Sequence, residues 1–477
     1  MDKIHRSILL FVALSLAIAS GFCADLPVLN VDIDFSRANR AIRPLHGVNK
    51  GPLASGGTID LTEAYRSNQI PFIRLHDCMW PYPDVVDIHS IFRNSSADPE
   101  NPASYDFALT DEYLSAAHRS GAKFIYRLGE SIEHMSTKRF VHPPSDPKKW
   151  AQICLGIIRH YNEGWARGFR YGIQYFEIWN EPENRPAMWT GTDEQFLELY
   201  RAAAAEIKRV YPSLKVGGPG FGYTGKFEHK TFDPSDFLLK FLRYCRKESV
   251  PLDFLSWHCY TADLGDLIER TKAMREVLDR EGFEKTENHL TEWNYLPDNS
   301  WASFSKSAPA RDRRAFYERM SGSEGAAFLV AGLIALQDAP LDVSCIFHGE
   351  VGAFGLFNEF GGPTACWEGI RFFSSLAQAQ FRKVAVSSGP EQFPIAAVTD
   401  SANTFLILVS NCDKTSRAIR IRMQGFGQHS PKTFNIARVP TTVPAETSVN
   451  LNDGHISIVL AASALALLEA APSGKDN

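Results

Sequence analysis

The sequence predicts a (β/α)₈ TIM barrel with an accessory antiparallel β-sandwich. Three observations carry this. Between about residues 41 and 380, short β-rich runs alternate eight times with longer amphipathic stretches, and such alternation builds a parallel sheet covered by its crossover helices. From about residue 384 the helical period stops, and short alternating strands with turn residues between them take over. The chain of 477 residues also exceeds the roughly 250 that one barrel needs, which leaves room for a second core.

Taken in order, residues 1–24 read as an export signal rather than structure. Lys3 and Arg6 precede an apolar run from Ile8 to Ala19 that is too short to span a bilayer, and Ala19, Ser20, Gly21 and Ala24 offer small residues for cleavage. A lipoprotein site at Cys23 is the alternative, with Phe22 where a small residue is expected. Residues 25–38, containing LPVLNVDIDF, are expected to join the sandwich; the barrel is placed at 39–381 and the sandwich at 382–470. No later run is long and apolar enough for a membrane span.

The expected barrel strands are PLHGVN near His46, FIRLH at 72–76, FIYRLGES at 124–131, YFEIWNE at 175–181, LKVGGPG at 214–220, DFLSWHCY at 253–260, NHLTEWN at 288–294 and DVSCIFHGE at 342–350. Helical periodicity fills the gaps at 108–119, 147–161, 234–247, 263–280 and 311–337. After the fourth strand, Thr192 and Gln195 fit a capping box, and Phe196, Tyr200, Ala203, Ile207 and Val210 draw one apolar stripe. In the tail, FPIAAVTD, TFLILVSN, RAIRIRMQ and TSVNLN alternate as strands, and only the last run, ISIVLAASALALLE, shows helical periodicity.

Composition excludes several function classes. A formal net charge of −5 gives no electrostatic footprint for nucleic acid. Eight cysteines, seven once Cys23 is removed, lack CxxC or His-x-His clustering, which argues against zinc and leaves at most one or two bridges. The sequon Asn94-Ser95-Ser96 matters only in a glycosylating host. Aromatics at 12% suit sugar-stacking platforms and a large core equally.

Chemistry is expected where strands end, because side chains there face the mouth of a barrel. In YFEIWNEPEN the strand ends near Asn180, since Pro182 cannot continue a ladder, so Glu181 stands at the rim. Glu177 lies four residues earlier on the same face and reads as a buried structural carboxylate paired with a neighbour such as Arg127. Glu183 follows the proline and reads as solvated. In HLTEWN, Leu290 and Thr291 finish the seventh strand and Glu292 takes the equivalent rim position. Two carboxylates across a pocket are the minimum apparatus of glycoside hydrolysis, one to protonate the leaving oxygen and one to attack the anomeric carbon.

WNEP on the fourth strand and TEWN on the seventh resemble the clan A glycosidases. Together with VGGPG, SWHCYT and the stretch from Phe347 to Phe357, in order between about Arg74 and Phe373, they resemble glycoside hydrolase family 39, the family of β-xylosidases and α-L-iduronidases. The resemblance implies a barrel with a β-sandwich and a retaining mechanism with Glu181 as acid/base and Glu292 as nucleophile. It further implies that Asn180 binds the sugar 2-hydroxyl and that His76, His258, Tyr260 and Trp293 line the substrate site. Tyr260 would orient Glu292, and Arg74 would keep it ionised or form a salt bridge inside the barrel.

The chain departs from the xylosidase pattern on strand eight, where Cys345-Ile346-Phe347-His348 replaces a Tyr-Trp pair. The second-strand loop, with Trp80, Tyr82, Asp84, Asp87 and His89, reads as a subsite wall or a packed loop; Lys50, after the first strand, reads as a solvated rim lysine, with contact to a uronate carboxylate as the alternative, so iduronidase activity does not follow. The expected protein is a secreted or periplasmic exo-acting hydrolase of oligosaccharides or glycosides, with no cofactor and no metal. An endo-acting glycanase on the same machinery and a non-catalytic carbohydrate-binding protein are the alternatives.

Overall fold

The computed structural model describes residue 26 and residues 28–54, 57–79, 84–388, 393–427, 430–441 and 447–470. The export-signal reading of residues 1–24 lies outside them, as do Trp80 and Tyr82. The described residues divide into two compact units, Ile42–Gln378 and a second made by residues up to Ala41 together with those from Ala379 onward.

In the first unit each expected run is a strand: Gly47–Asn49, Phe72–Leu75, Lys123–Leu128, Tyr175–Ile178, Lys215–Phe221, Phe254–Thr261, Glu287–Tyr295 and Val343–Ile346, the first to eighth barrel strands. Every one runs parallel to its two neighbours, and the eighth closes on the first. Parallel neighbours need a crossover. Helices supply it at Thr62–Ser67, Ala108–Arg119, Pro147–Asn162, Asp193–Val210, Asp236–Lys247, Leu264–Arg280 and the pair Ala310–Ser321 and Ser323–Ala335, with Ala365–Leu376 after the eighth strand.

Local sequence explains these elements. The capping box forms at Thr192, whose side chain accepts the Gln195 N–H while Gln195 accepts the Thr192 N–H. Phe196, Tyr200, Ala203 and Ile207 are fully buried beneath it. Residues 311–337, expected as one helix, are two: the backbone is extended at Gly322, where a Cβ would sit 2.4 Å from the Glu318 carbonyl oxygen. No single described helix is long and apolar enough to cross a membrane.

The seventh strand does not stop at Thr291 but continues to Tyr295. It also carries an extra residue, since Leu290 lies opposite Trp257 while Glu292 lies opposite His258. A bulge resets the alternation of a strand. Thr291 and Glu292, adjacent in sequence, therefore both reach the barrel interior, where Thr291 meets Glu177 and Glu292 meets Arg74.

The second unit packs two sheets over one core. Ala385–Ser387, Val28–Asp34, Arg417–Gln424 and His455–Leu460 form one; Arg382–Lys383, Ile395–Thr399, Phe405–Asn411, Ala464–Ala470, Thr433–Val439 and Ser448–Asn450 form the other. Val31, Ile33, Ile419 and Ile421 of the first meet Ile407, Val409, Phe434 and Leu468 of the second. The sandwich is not wholly antiparallel, because Val28–Asp34 runs parallel to Arg417–Gln424. The last run is two strands rather than a helix: Ala464–Ala470 is paired on both edges and buried at every residue but Glu469, and a strand covered on both faces needs a continuous apolar run. The seven described cysteines are all free.

Candidate active site

The C-terminal ends of the strands converge on one arginine. Arg74, from the second strand, has no exposed surface. Its Nε donates to Glu177 Oε2 at 2.6 Å, Nη1 to Asn49 Oδ1 and Glu292 Oε2 at 3.1 Å each, and Nη2 to Asn180 Oδ1 at 2.6 Å. One guanidinium thus locks side chains from the first, fourth and seventh strands and from the turn after the fourth, a task its planar fork of donors suits. Glu177 is the expected structural carboxylate, but its partner is Arg74 rather than Arg127. Arg127 instead donates to buried Asp87 and to Ser131.

Glu181 stands above this frame. The fourth strand ends at Ile178, and the backbone turns through left-handed residues at Trp179 (φ 70°) and Glu181 (φ 43°). The Glu181 N–H is caught by the carbonyls of Pro219 and Gly220, each at 3.1 Å. Its carboxylate accepts from His258 Nδ1 at 2.7 Å and from Asn184 Nδ2 at 3.0 Å. Glu292 accepts the Tyr260 hydroxyl on Oε1, and its Oε2 lies 3.8 Å from His258 Nδ1. One carboxylate oxygen of each glutamate and a ring nitrogen of His258 lie within 4.8 Å of one another.

Charge in this cluster is finely poised. Burial lowers His258, but the Glu292 charge and the Glu181 hydrogen bond outweigh it and hold the imidazole above its ordinary range. At Glu181 burial acts upward and is overcome by the His258 hydrogen bond and charge, whereas burial leaves Glu292 raised against the pull of His258. His76 is buried and stays neutral, because desolvation and the Arg74 charge push it well below its usual range. Arg127 Nε donates to His76 Nδ1 at 3.2 Å, so the ring proton sits on Nε2, which lies 3.3 Å from Asp77 Oδ1.

Glycines make room for these groups. A Cβ at Gly220 would come within 3.1 Å of Arg74 Nη2, Asn180 Oδ1 and His258 Nε2, and one at Gly222 would lie 2.5 Å from Glu181 Oε1. Only a bare backbone fits there, which gives VGGPG and the following Phe221-Gly222 a physical role.

The family profile described as Glycosyl hydrolases family 39 matches residues 55–356. The chain belongs to glycosyl hydrolases family 39. A β-xylosidase of Geobacillus stearothermophilus is 26% identical over an alignment of 333 residues, and the match covers 61% of this chain and 60% of that one. A β-xylosidase of Caldicellulosiruptor saccharolyticus is 27% identical over 321 residues, again 61% and 60%. The chain therefore matches less than two thirds of the length of these curated relatives. Among solved structures, a glucosidase from Croceicoccus marinus superposes with a TM-score of 0.75 at 25% identity, covering 94% of this chain and all of that one.

Within this family 39 chain, the structure brings Arg74, Asn180, Glu181, His258, Tyr260 and Glu292 together, with His76 beside them. Trp293 does not join them. It points away from Glu292, has no exposed surface, donates Nε1–H to Ser344 Oγ at 2.7 Å and packs on Gly332. Lys50 is not solvated either: it is buried 3.7 Å from Glu350 Oε2 and lies over the Phe347 ring, and burial pushes Glu350 up to about 7. Asp87 and His89 of the second-strand loop are packed, the latter on Glu130 and stacked against Phe140. Asn49 and Thr291 were missed; their positions at the ends of the first and seventh strands were the available signal.

The pairing of Glu177 carries a prediction. Glu177→Gln leaves Arg74 short of a buried counter-charge, so it should cost about 3 kcal/mol of stability, read as a lowered thermal midpoint, with a smaller effect on turnover of the folded fraction. An unchanged midpoint with activity down roughly a thousandfold would give Glu177 a catalytic role instead.

Proposed function

We propose that the protein is a retaining exo-glycosidase that removes a terminal β-linked pentose or hexose by double displacement, with Glu181 as acid/base and Glu292 as nucleophile. The observation that carries the reading is the separation of the two carboxylates. Oxygens within 4.8 Å fit the roughly 5 to 5.5 Å of a nucleophile and its acid partner, whereas inversion needs about 6.5 to 9.5 Å to admit a water. Relatives named β-xylosidase and glucosidase support a xylose-like or glucose-like sugar.

The geometry supports a role for each group. When His258 is protonated, a state that burial opposes but Glu292 and Glu181 favour, two cations, Arg74 and His258, face three carboxylates, Glu177, Glu181 and Glu292. One further proton makes the cluster neutral, and a glycoside that expels water favours that state. Without substrate, burial acting on Glu181 is overcome by His258, which lowers it, while burial raises Glu292; with substrate bound the proton must pass to Glu181, whose carboxyl then donates it to the leaving oxygen. Arg74 and the Tyr260 hydroxyl hold Glu292 as the attacking carboxylate. Arg74 also fixes Asn180 through Oδ1, which leaves the Nδ2 donor for the sugar 2-hydroxyl, a contact that tightens in the transition state. Once Glu292 is esterified its charge no longer opposes ionisation of Glu181, which then deprotonates the incoming water. His76, held in one tautomer between Arg127 and Asp77, supports the floor of the site rather than offering a free donor.

Turnover of a panel of aryl β-xylosides, β-glucosides and related glycosides, with NMR of the first-formed anomer, tests this. A β-anomer as first product from a β-glycoside is expected, and an α-anomer would overturn retention. We also propose export directed by residues 1–24, on the basic start and apolar run. Amino-terminal sequencing of the protein recovered outside the cytoplasm should begin between residues 20 and 25; an intact Met1 there would overturn it.

A further inference from the structure

The loop after the seventh strand carries an aromatic face that the chemistry of the two glutamates leaves unused. Asn299 fixes this loop, its Oδ1 accepting the Thr261 hydroxyl at 3.0 Å and the Ala262 N–H at the end of the sixth strand. Trp301 then packs edge-on against Tyr260, with ring centroids 5.1 Å apart, and Phe304 and Phe354 meet it at 5.8 and 6.2 Å. Tyr317 and Phe347 border the same rings. Trp301 stays 43% exposed and Phe304 38%, although large aromatic side chains are normally covered. The face starts at the catalytic pair: the Tyr260 hydroxyl holds Oε1 of Glu292, while Arg74, which also fixes Asn180, holds Oε2. On the flank of the acid/base, Gly222 lies against the Glu181 carboxylate and exposed Tyr223 follows it. The Tyr223 N–H donates to Glu183 Oε1 at 2.9 Å, so Glu183 is tied into this flank rather than solvated as its place after Pro182 suggests.

We propose that Trp301, Phe304 and Phe354 form the aglycone subsite, and that the substrate class they take is a glycoside of a planar, apolar alcohol or phenol rather than an oligosaccharide. The inference deepens the glycosidase reading of Glu181 and Glu292 and rests on it. A sugar ring also stacks on tryptophan, but its hydroxyls then need polar partners around the ring. Here polar side chains of the loop are turned on the loop itself. Ser300 Oγ accepts the Ala302 N–H at 3.2 Å, Ser305 and Ser307 bond each other at 2.8 Å, and Arg313 Nη1 donates to the carbonyls of Lys306 and Ala308. The exposed ring surface binds by apolar area and by the aromatic quadrupole, and asks for no hydrogen bond from its ligand. An aglycone that extends from the leaving oxygen past Tyr260 toward Trp301 covers this surface, while the sugar stays on the side of Arg74 and Asn180.

Three glycosides of one sugar test this: the methyl and 2-naphthylmethyl β-glycosides, whose alcohols are of similar acidity, and the β-1,4-linked disaccharide, in the xylose or glucose series that the enzyme turns over. Wild type should cleave the naphthylmethyl glycoside with a kcat/KM about tenfold above that of the methyl glycoside, chiefly through KM. In Trp301→Ala and in Phe304→Ala that ratio should fall toward one, while the ratio of disaccharide to methyl glycoside stays near its wild-type value. Damage to Tyr260 or Glu292 lowers all three rates and cancels in the ratios, because the sugar and the chemistry are shared. Should Trp301→Ala fail to fold, Phe304→Ala, one ring further from Tyr260, carries the measurement. A naphthylmethyl preference that survives the substitutions, or a wild type without one, overturns the proposal and spares the acid/base reading. An equal fall in the disaccharide ratio makes the face a sugar subsite and overturns the apolar class. Hydrolysis of none of the three in either series overturns the glycosidase reading and the proposal with it.

Discussion

Glu292→Ala should be almost inactive on every substrate, with kcat down by roughly four orders of magnitude or more whatever the leaving group. Without the carboxylate no glycosyl-enzyme forms, and a better leaving group does not replace the missing attack. The frame around it should survive, because Arg74 keeps Glu177, Asn49 and Asn180 as partners, so circular dichroism and thermal midpoint should stay near wild type. The space left between Tyr260 and Arg74 admits a small anion. Azide should therefore attack the sugar directly from the nucleophile's side and give a glycosyl azide of inverted configuration. Retained configuration, or appreciable activity without azide, would remove Glu292 from the role.

The barrel was legible because its signals are local: alternating runs, a capping box at Thr192, and turn residues where strands end. Both rim glutamates were legible for the same reason, since the C-terminal end of a strand can be located from sequence. What could not be read depends on register and on distant loops. The bulge that turns Thr291 and Glu292 inward together is one residue of slip against the sixth strand, and no residue type in HLTEWN announces it. Arg74 and Arg127 lie on neighbouring strands, and what separates their partners is Asp87, delivered by the second-strand loop. Lys50 and Glu183 looked solvated because such residues in loops usually are. Glu350 and the Tyr223 backbone, which bury them, arrive from 300 and 40 residues away. Trp293 is different: strand alternation places it opposite Glu292, so its exclusion from the pocket was readable.

Glu181→Ala should separate the two glutamates by task. Removing the acid deprives the leaving oxygen of its proton, so activity on an alkyl glycoside or disaccharide should fall about 10²- to 10⁴-fold, the usual contribution of a positioned proton donor. An aryl glycoside whose phenolate departs unaided should lose far less in glycosylation, because Glu292, Arg74 and Tyr260 remain in place. Deglycosylation then becomes slow, since no base is left to activate water, and the glycosyl-enzyme should accumulate with a burst of phenolate. Azide needs no base. It should enter the space beside His258 and Asn184, attack the intermediate held by Glu292, speed turnover, and give a product of retained configuration, the reverse of its product with Glu292→Ala. The pH profile should change as well: the alkaline limb that reports the acid in wild type should vanish in Glu181→Ala on the activated substrate. If both alanine variants depend equally on leaving-group acidity, or if their azide products show the opposite stereochemistry, the roles assigned to Glu181 and Glu292 are exchanged or wrong.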